Sequence, residues 1–203
     1  CAIAKEGVEK PYGAQIGRFL LRSATDNPQT LAIARAAAGS DARMSGCAMP
    51  VVINSGSGNQ GLTASLPVLT YAQSLGADEA LTLRALAVSN LVAIYQKRQI
   101  GSLSAYCGAV CAACGSGAAI TYLHGGTRKQ IGQTIVNTVA CVGGILCDGA
   151  KPSCAAKIAT CVNAAILGHQ LALAGQGFHP GEGLVKADAD KTIRCYSDIA
   201  REG

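Results

Sequence analysis

Seven of the ten cysteines, at positions 107, 111, 114, 141, 147, 154 and 161, fall between Tyr106 and Cys161. Three of them have the setting that thiolate chemistry asks for. Cys147 and Cys154 enclose Asp148-Gly149-Ala150-Lys151-Pro152-Ser153. Asp148-Gly149 is a turn signal and Pro152 suits the first position of a helix, so Cys147 is expected at the end of one helix and Cys154 in the first turn of the next. Ser102 or Ser104 is placed to cap a further helix with Cys107 in its opening turn. A helix N-terminus carries partial positive charge and free N–H groups, which lower a thiol's pKa and favour the thiolate that metals bind. Two of the three, Cys107 and Cys154, are therefore placed to ligate metal, and Cys147 joins them in the candidate ligand set. Four cysteines normally hold a 4Fe-4S cluster; three leave one iron without a protein ligand, able to act as a Lewis acid.

The remaining cysteines admit other readings. Cys107, Cys111 and Cys114 spell CxxxCxxC, the spacing by which radical S-adenosylmethionine enzymes draw three ligands from one loop. Here the three share one helical face, Ala113 stands where an aromatic is expected, and the chain lacks the strands of a barrel. Cys111 and Cys114, with Cys47, Cys141, Cys161 and Cys195, are expected as small buried apolar residues. Structural zinc sites favour two close pairs such as C-x2-C, and two such pairs are not present, although cysteine pairs alone do not separate zinc from iron-sulfur. Cys1 at the chain's start invites comparison with exposed N-terminal nucleophiles, which sit on layered sheets that this sequence does not predict.

A second stretch has the chemistry to bind. Pro50-Val51-Val52-Ile53 reads as a short extended run, followed by Asn54-Ser55-Gly56-Ser57-Gly58-Asn59-Gln60-Gly61. Gly56, Gly58 and Gly61 spell GxGxxG, but a dinucleotide fold needs strands alternating with helices, and no second buried strand follows. A connection between helices is one reading. Another uses the polar residues: Ser55, Ser57, Asn59, Gln60 and neighbouring backbone N–H groups closing around a carboxylate at the start of the next helix.

The elements that must position these residues are helical. Apolar spacing predicts helix over 1–24, broken at Pro11-Tyr12-Gly13, and over 28–38, closed by Gly39-Ser40 with Asp41 and Arg43 in a loop. Residues 62–75 continue as helix through Pro67. Glu79 to about Lys97 follows with Leu81, Ala85, Val88, Val92 and Tyr95 as its buried stripe, and Lys97 and Arg98 at its end suit the helix dipole. Ser104–Leu123 is a central helix of small residues, ended at His124-Gly125-Gly126. Thr127 or Arg128 opens a helix to about Leu146, and Pro152 to about Ala174 forms another, with Ile158, Val162, Ala165 and His169 inward. The tail, a loop from His179 and a polar helix from 187 to 202, is expected as a surface lid or interface, and a homodimer is among the expected assemblies.

Composition bounds the function. The 203 residues, 49% hydrophobic but only 4% aromatic and without Trp, fit one all-α domain of closely packed helices rather than an aromatic-rich sandwich. Seventeen basic against twelve acidic residues give +5, with basic residues too dispersed for a nucleic-acid footprint; small anions suit that balance better. The uncharged run from Gln99 to Leu123 is rich in Gly, Ser, Ala and Cys, so a buried helix is expected there rather than a membrane span. No basic-then-apolar leader stands at Cys1, and ten cysteines without one point to reduced thiols or metal in the cytoplasm.

Ile145-Leu146-Cys147-Asp148-Gly149-Ala150-Lys151-Pro152-Ser153-Cys154-Ala155-Ala156-Lys157 resembles the signature of the L-cysteine desulfidase family, relatives of the iron-sulfur L-serine dehydratase alpha region. Ser104-Ala105-Tyr106-Cys107-Gly108, Asn54–Gly61 and Gly181-Glu182-Gly183-Leu184-Val185 fit it too, so the resemblance covers most of the chain. It implies a helical serine dehydratase alpha-like catalytic domain over 1–203 that holds a 4Fe-4S cluster through Cys107, Cys147 and Cys154. It also implies substrate binding by the loop of Ser55, Ser57, Asn59 and Gln60. The expected activity is β-elimination of L-cysteine to pyruvate, ammonia and hydrogen sulfide. An L-serine dehydratase acting on another β-substituted amino acid and a non-catalytic metal-binding module are the alternatives. The Cys147–Cys154 spacing is the desulfidase-like one; serine dehydratases place that pair further apart. Family members are longer at the N-terminus, so the chain is expected to be the C-terminal part of a longer protein, with the general base in the missing portion. Lys151, between two ligands, is the candidate within this chain for contact with cluster or substrate, or a solvated turn residue.

Overall fold

In the computed structural model, residues 1–22, 27–101 and 104–202 are described, and among them the protein is all helical. The helices are α1 (Ala2–Glu9), α2 (Ile16–Leu21), α3 (Pro28–Met44), α4 (Gly58–Ser74), α5 (Glu79–Ile100), α6 (Gly108–Leu123), α7 (Arg128–Val142), α8 (Cys154–Leu173) and α9 (Ala189–Glu202). None among the described residues is long and apolar enough to cross a membrane.

The expected central helix is α6. It packs against α4, α5, α7 and α8, and every residue from Ala109 to Thr121 is buried. Small side chains make this possible, because backbones approach closely only where little projects between them. A Cβ on Gly115 would collide with the Ser89 carbonyl of α5. Cys111 and Cys114 lie fully buried in α6, as expected of apolar fillers, and burial pushes the Cys111 thiol up to about 12. Cys161 is buried as well, whereas Cys141 is exposed and Cys47 and Cys195 only half-buried, so the expectation fails at those three.

Several boundaries move for reasons of packing. Helix α3 runs through Gly39 and Ser40 to Met44, so Asp41 and Arg43 are helical rather than looped. Gly39 sits beneath Leu62 of α4, where its missing side chain makes room; the chain leaves the helix at Gly46, φ +84. Asp41, fully buried, accepts the Gly17 N–H at 3.1 Å and so tethers the start of α2. Helix α5 turns a different face inward: Ala85, Ser89, Ala93, Gln96 and Ile100 are buried, while Tyr95 is exposed and Leu81, Val88 and Val92 are partly covered. Small residues win that face because α6 lies so close, and Ser89 Oγ donates to Ala64 O of α4 at 2.6 Å. The tail is less peripheral than its polarity suggests. Helix α9 buries Thr192, Ile193, Tyr196 and Ser197 against α5 and α7.

His124 and His169 behave as read. His124 ends α6, its Nδ1 2.9 Å from Ile120 O. His169, 4% exposed, shares a hydrogen bond of 3.0 Å with Thr121 Oγ1, which in turn meets Thr134 Oγ1 at 2.7 Å. Burial, with the His124 ring 4.6 Å away adding to it, lowers the pKa of His169 from 6.5 to about 4.

A depressed histidine pKa means the unfolded chain takes up a proton, below pH 6.5, that the folded chain refuses until about pH 4. Stability is expected to fall on acidification through that window, by on the order of 3 kcal/mol across its full width. Urea unfolding midpoints at pH 7.5 and pH 5 measure it, and His169→Gln should flatten the slope. An unchanged slope in that variant would assign the acid sensitivity elsewhere.

Candidate metal centre

The three candidate thiols meet because two distant stretches exchange backbone hydrogen bonds. Cys107 N–H donates to Ile145 O at 2.8 Å and Cys147 N–H donates to Ala105 O at 2.7 Å, an isolated bridge between Tyr106 and Leu146. This capture ends α7 at Val142, so Cys147 lies in the connection to α8 and not on a helix end. Cys107 is itself the N-cap of α6 rather than a residue of its first turn. Ser104 Oγ accepts from Tyr106 N at 3.1 Å instead of capping that helix; Ser102 lies outside the described residues. Cys154 is the first residue of α8, in the opening turn as expected, its thiol 3.6 Å from Gly149 O.

Charged side chains brace the connection. Asp148 bonds both Lys157 and Lys151, the latter at 2.6 Å, and these cations hold its carboxyl well below the usual range. Lys157 Nζ also donates to Leu146 O at 2.9 Å, so one α8 side chain holds the residues on either side of Cys147, one by its backbone and the other by its carboxylate. Lys151 is therefore engaged with Asp148, and it is not among the residues facing the cleft described next. Below the bridge, Tyr106 stacks on the buried Tyr196 of α9 with centroids 5.3 Å apart.

A cleft of about 330 Å³ joins the two halves of the sequence reading. Cys107, Cys147 and Cys154 line it together with Ser55, Ser57, Asn59 and Gln60. Arg43, Lys97, Ser104 and Tyr106 also line it, and among the described residues no aspartate or glutamate does. The N-termini of α4, α6 and α8 all open here, through Ser57, Cys107 and Cys154, and none of the three has a side-chain cap. Their dipoles favour negative charge in the cleft, although at α8 the Cys154 and Ala155 N–H groups already donate to Lys151 O and Pro152 O. Cys107 departs from expectation: burial pushes its thiol up, and nearby Cys147 and Cys154 add to that, against the Ala109 N–H and Lys157. Desolvation outweighs the helix terminus there, so a thiolate at Cys107 calls for a cation beside it.

The glycines of GxGxxG serve the backbone and no nucleotide. Ser55 and Gly56, φ +49 and +82, form a tight turn closed by Asn54 and Ser57, and Asn54 Nδ2 pins it to Asn90 Oδ1 of α5 at 2.8 Å. A Cβ on Gly61 would collide with the Val52 carbonyl, which fixes how the Pro50–Ile53 run, coil rather than strand, reaches α4. Gly108 leaves room for the Gln60 amide, whose atoms lie 2.5–2.8 Å from where its Cβ would stand. That places Gln60 directly beside Cys107.

The donor set suits an iron-sulfur cluster. Among the described residues no three His, Cys, Asp or Glu side chains converge as one ion would require. A cubane asks for less crowding, because each thiolate meets its own iron at a separate corner. Three thiols that line one cleft without converging, with no acidic side chain beside them among the described residues, match that demand. Sequence reasoning missed Arg43, hidden by the early end given to α3, and the Lys157–Asp148 brace, although Lys157 falls three residues after Cys154 in the same motif.

A family model described as serine dehydratase alpha chain matches residues 2–203. A UPF0597 protein of Lachnoclostridium phytofermentans is 57% identical over 99% of this chain and 48% of its own length. One from Desulfitobacterium hafniense is also 57% identical, over 100% and 47%, and one from Treponema denticola 47%, over 99% and 48%. The chain thus spans about half the length of these curated relatives. No solved structure matches it.

Gly61→Ala and Gly56→Ala separate collision from backbone strain. The first should cost about 3 kcal/mol or more, the second about 1–2 kcal/mol, because open space surrounds Gly56 and only its positive φ is lost. Urea denaturation of both variants checks the order. Equal costs would mean that the Val52 contact does not set the loop.

Proposed function

Because the chain belongs to the serine dehydratase alpha chain family, we propose that it is the cluster-carrying catalytic domain of a lyase that removes the β-substituent of an L-amino acid, with L-cysteine as substrate. The observation that carries this reading is the meeting of three thiols and a carboxylate-sized polar loop in one acid-free cleft. When bound by Cys107, Cys147 and Cys154, a 4Fe-4S cluster supplies an iron without a protein ligand, which serves as Lewis acid toward the substrate's polar groups.

The chain's own residues bind and orient. Ser55, Ser57, Asn59 and Gln60, with the first N–H groups of α4, hold the substrate carboxylate. Asn59 and Gln60 donate their amide N–H groups to it, while Asn59 Oδ1 and Gln60 Oε1, buried and without a partner among the described residues, accept from the substrate's ammonium group. Lys151 acts through Asp148, keeping the Cys147–Cys154 connection closed. Elimination takes the α-proton to a base while the C–S bond breaks and its electron pair leaves on sulfur. The resulting aminoacrylate tautomerises and hydrolyses to pyruvate and ammonia. Among the described residues no carboxylate or imidazole lines the cleft, and the relatives carry as much chain again, so the base is assigned to the remainder of the full-length protein.

L-Serine is the second reading, favoured by the description of the matching family. Desulfidase is placed first because the Cys147–Cys154 segment resembles that branch. Comparison of pyruvate formation from L-cysteine and L-serine decides between them. In the full-length protein, Cys154→Ala should lose bound iron and lower sulfide release from L-cysteine by ~100-fold or more, whereas exposed Cys141→Ser keeps both. Iron and turnover retained in Cys154→Ala would remove Cys154 from the ligand set.

A further inference from the structure

Arg43 occupies a position that α4 alone should disfavour. It stands in the last turn of α3 and reaches across the first turn of α4. A Cβ on Gly58 would lie 2.5 Å from Arg43 Nε and 2.5 Å from Val51 Cγ2, so glycine at the first helical position is what lets the arginine lie there. Two positive charges then face each other, the guanidinium and the N-terminal end of a 17-residue helix. Among the described residues the guanidinium has no hydrogen-bond or ion-pair partner, and no acidic side chain lines the cleft. Lys97, the other lysine or arginine on its wall, donates to Gly101 O at 2.7 Å. Gln60, 7% exposed, adds a buried amide oxygen without a partner on the same wall.

An anion between Arg43 and the helix relieves the facing positive charges, and the α-ammonium of the same amino acid gives the Gln60 oxygen a donor. We propose that Arg43 is the carboxylate anchor of the substrate site: its fork grips the α-carboxylate of a free amino acid from one side while the α4 N-terminus and the Gln60 amide N–H hold it from the other. The inference rests on the elimination reading above and narrows it. A free α-carboxylate is required, which excludes amines and residues inside a peptide. The planar, bidentate geometry of Arg suits a carboxylate better than the point charge of Lys.

The test is calorimetric binding of L-cysteine, and of cysteamine, which keeps thiol and amine but lacks the carboxylate. The proteins are anaerobically reconstituted full-length wild type, Arg43→Gln and Arg43→Lys. Arg43→Gln should weaken L-cysteine about 10- to 100-fold, Arg43→Lys less, with cysteamine affinity, iron content and melting temperature unchanged. Where wild type turns over, the loss should appear in KM more than in kcat. L-Cysteine affinity unaltered in Arg43→Gln, or lowered equally for cysteamine, overturns the anchor and leaves the elimination reading standing. Arg43-dependent binding without pyruvate from either L-cysteine or L-serine supports the anchor and overturns that reading. A wild type that binds no amino acid overturns both.

Discussion

Two backbone hydrogen bonds hold the site together: Cys107 N–H to Ile145 O and Cys147 N–H to Ala105 O. They join chain forty residues apart at the one place where three helices begin or end. Because the Tyr106–Leu146 bridge draws the backbone away from α7, the chain must turn through Asp148-Gly149 and start α8 afresh at Cys154. The same bridge seats Tyr106 on Tyr196 and brings Leu146 O within reach of Lys157. Each of these contacts is modest alone. Together they set where three thiols stand without using the thiols themselves as fasteners.

The composition of α6 has a matching purpose. A helix built of Gly, Ala, Ser and Cys contributes little side-chain volume, yet it lets four helices close around it. Close approach aligns the free N-termini of α4, α6 and α8 on one cleft. That arrangement concentrates positive potential where no acid side chain answers it. Arg43 raises the potential further. Such a cleft is costly to leave without an anion and well suited to a thiolate-bound cluster and a carboxylate.

Much of this was legible in the sequence. The all-α class, the central helix and the buried histidine follow from periodicity and turn residues, and the two stretches that line one cleft stand out by their cysteine spacing and polar residues. What was hidden depends on contacts between distant residues. Gly39-Ser40 reads as a stop, yet Leu62 packs over Gly39 and the helix continues, carrying Arg43 to the cleft. The inward face of α5 was misjudged because size of neighbour, set by α6, outweighs hydrophobicity: Ser89 and Gln96 are buried while Tyr95 is not. The raised thiol pKa of Cys107 likewise reflects burial, which spacing does not reveal.

The chain belongs to a family whose relatives named above are about twice its length, and among the described residues its cleft brings together three thiols and a polar loop with no acidic side chain. The most direct measurement of the central claim is iron and acid-labile sulfide per chain after anaerobic reconstitution. The account predicts about four of each. Zinc alone, or no metal with Cys107, Cys147 and Cys154 all open to alkylation, would contradict it.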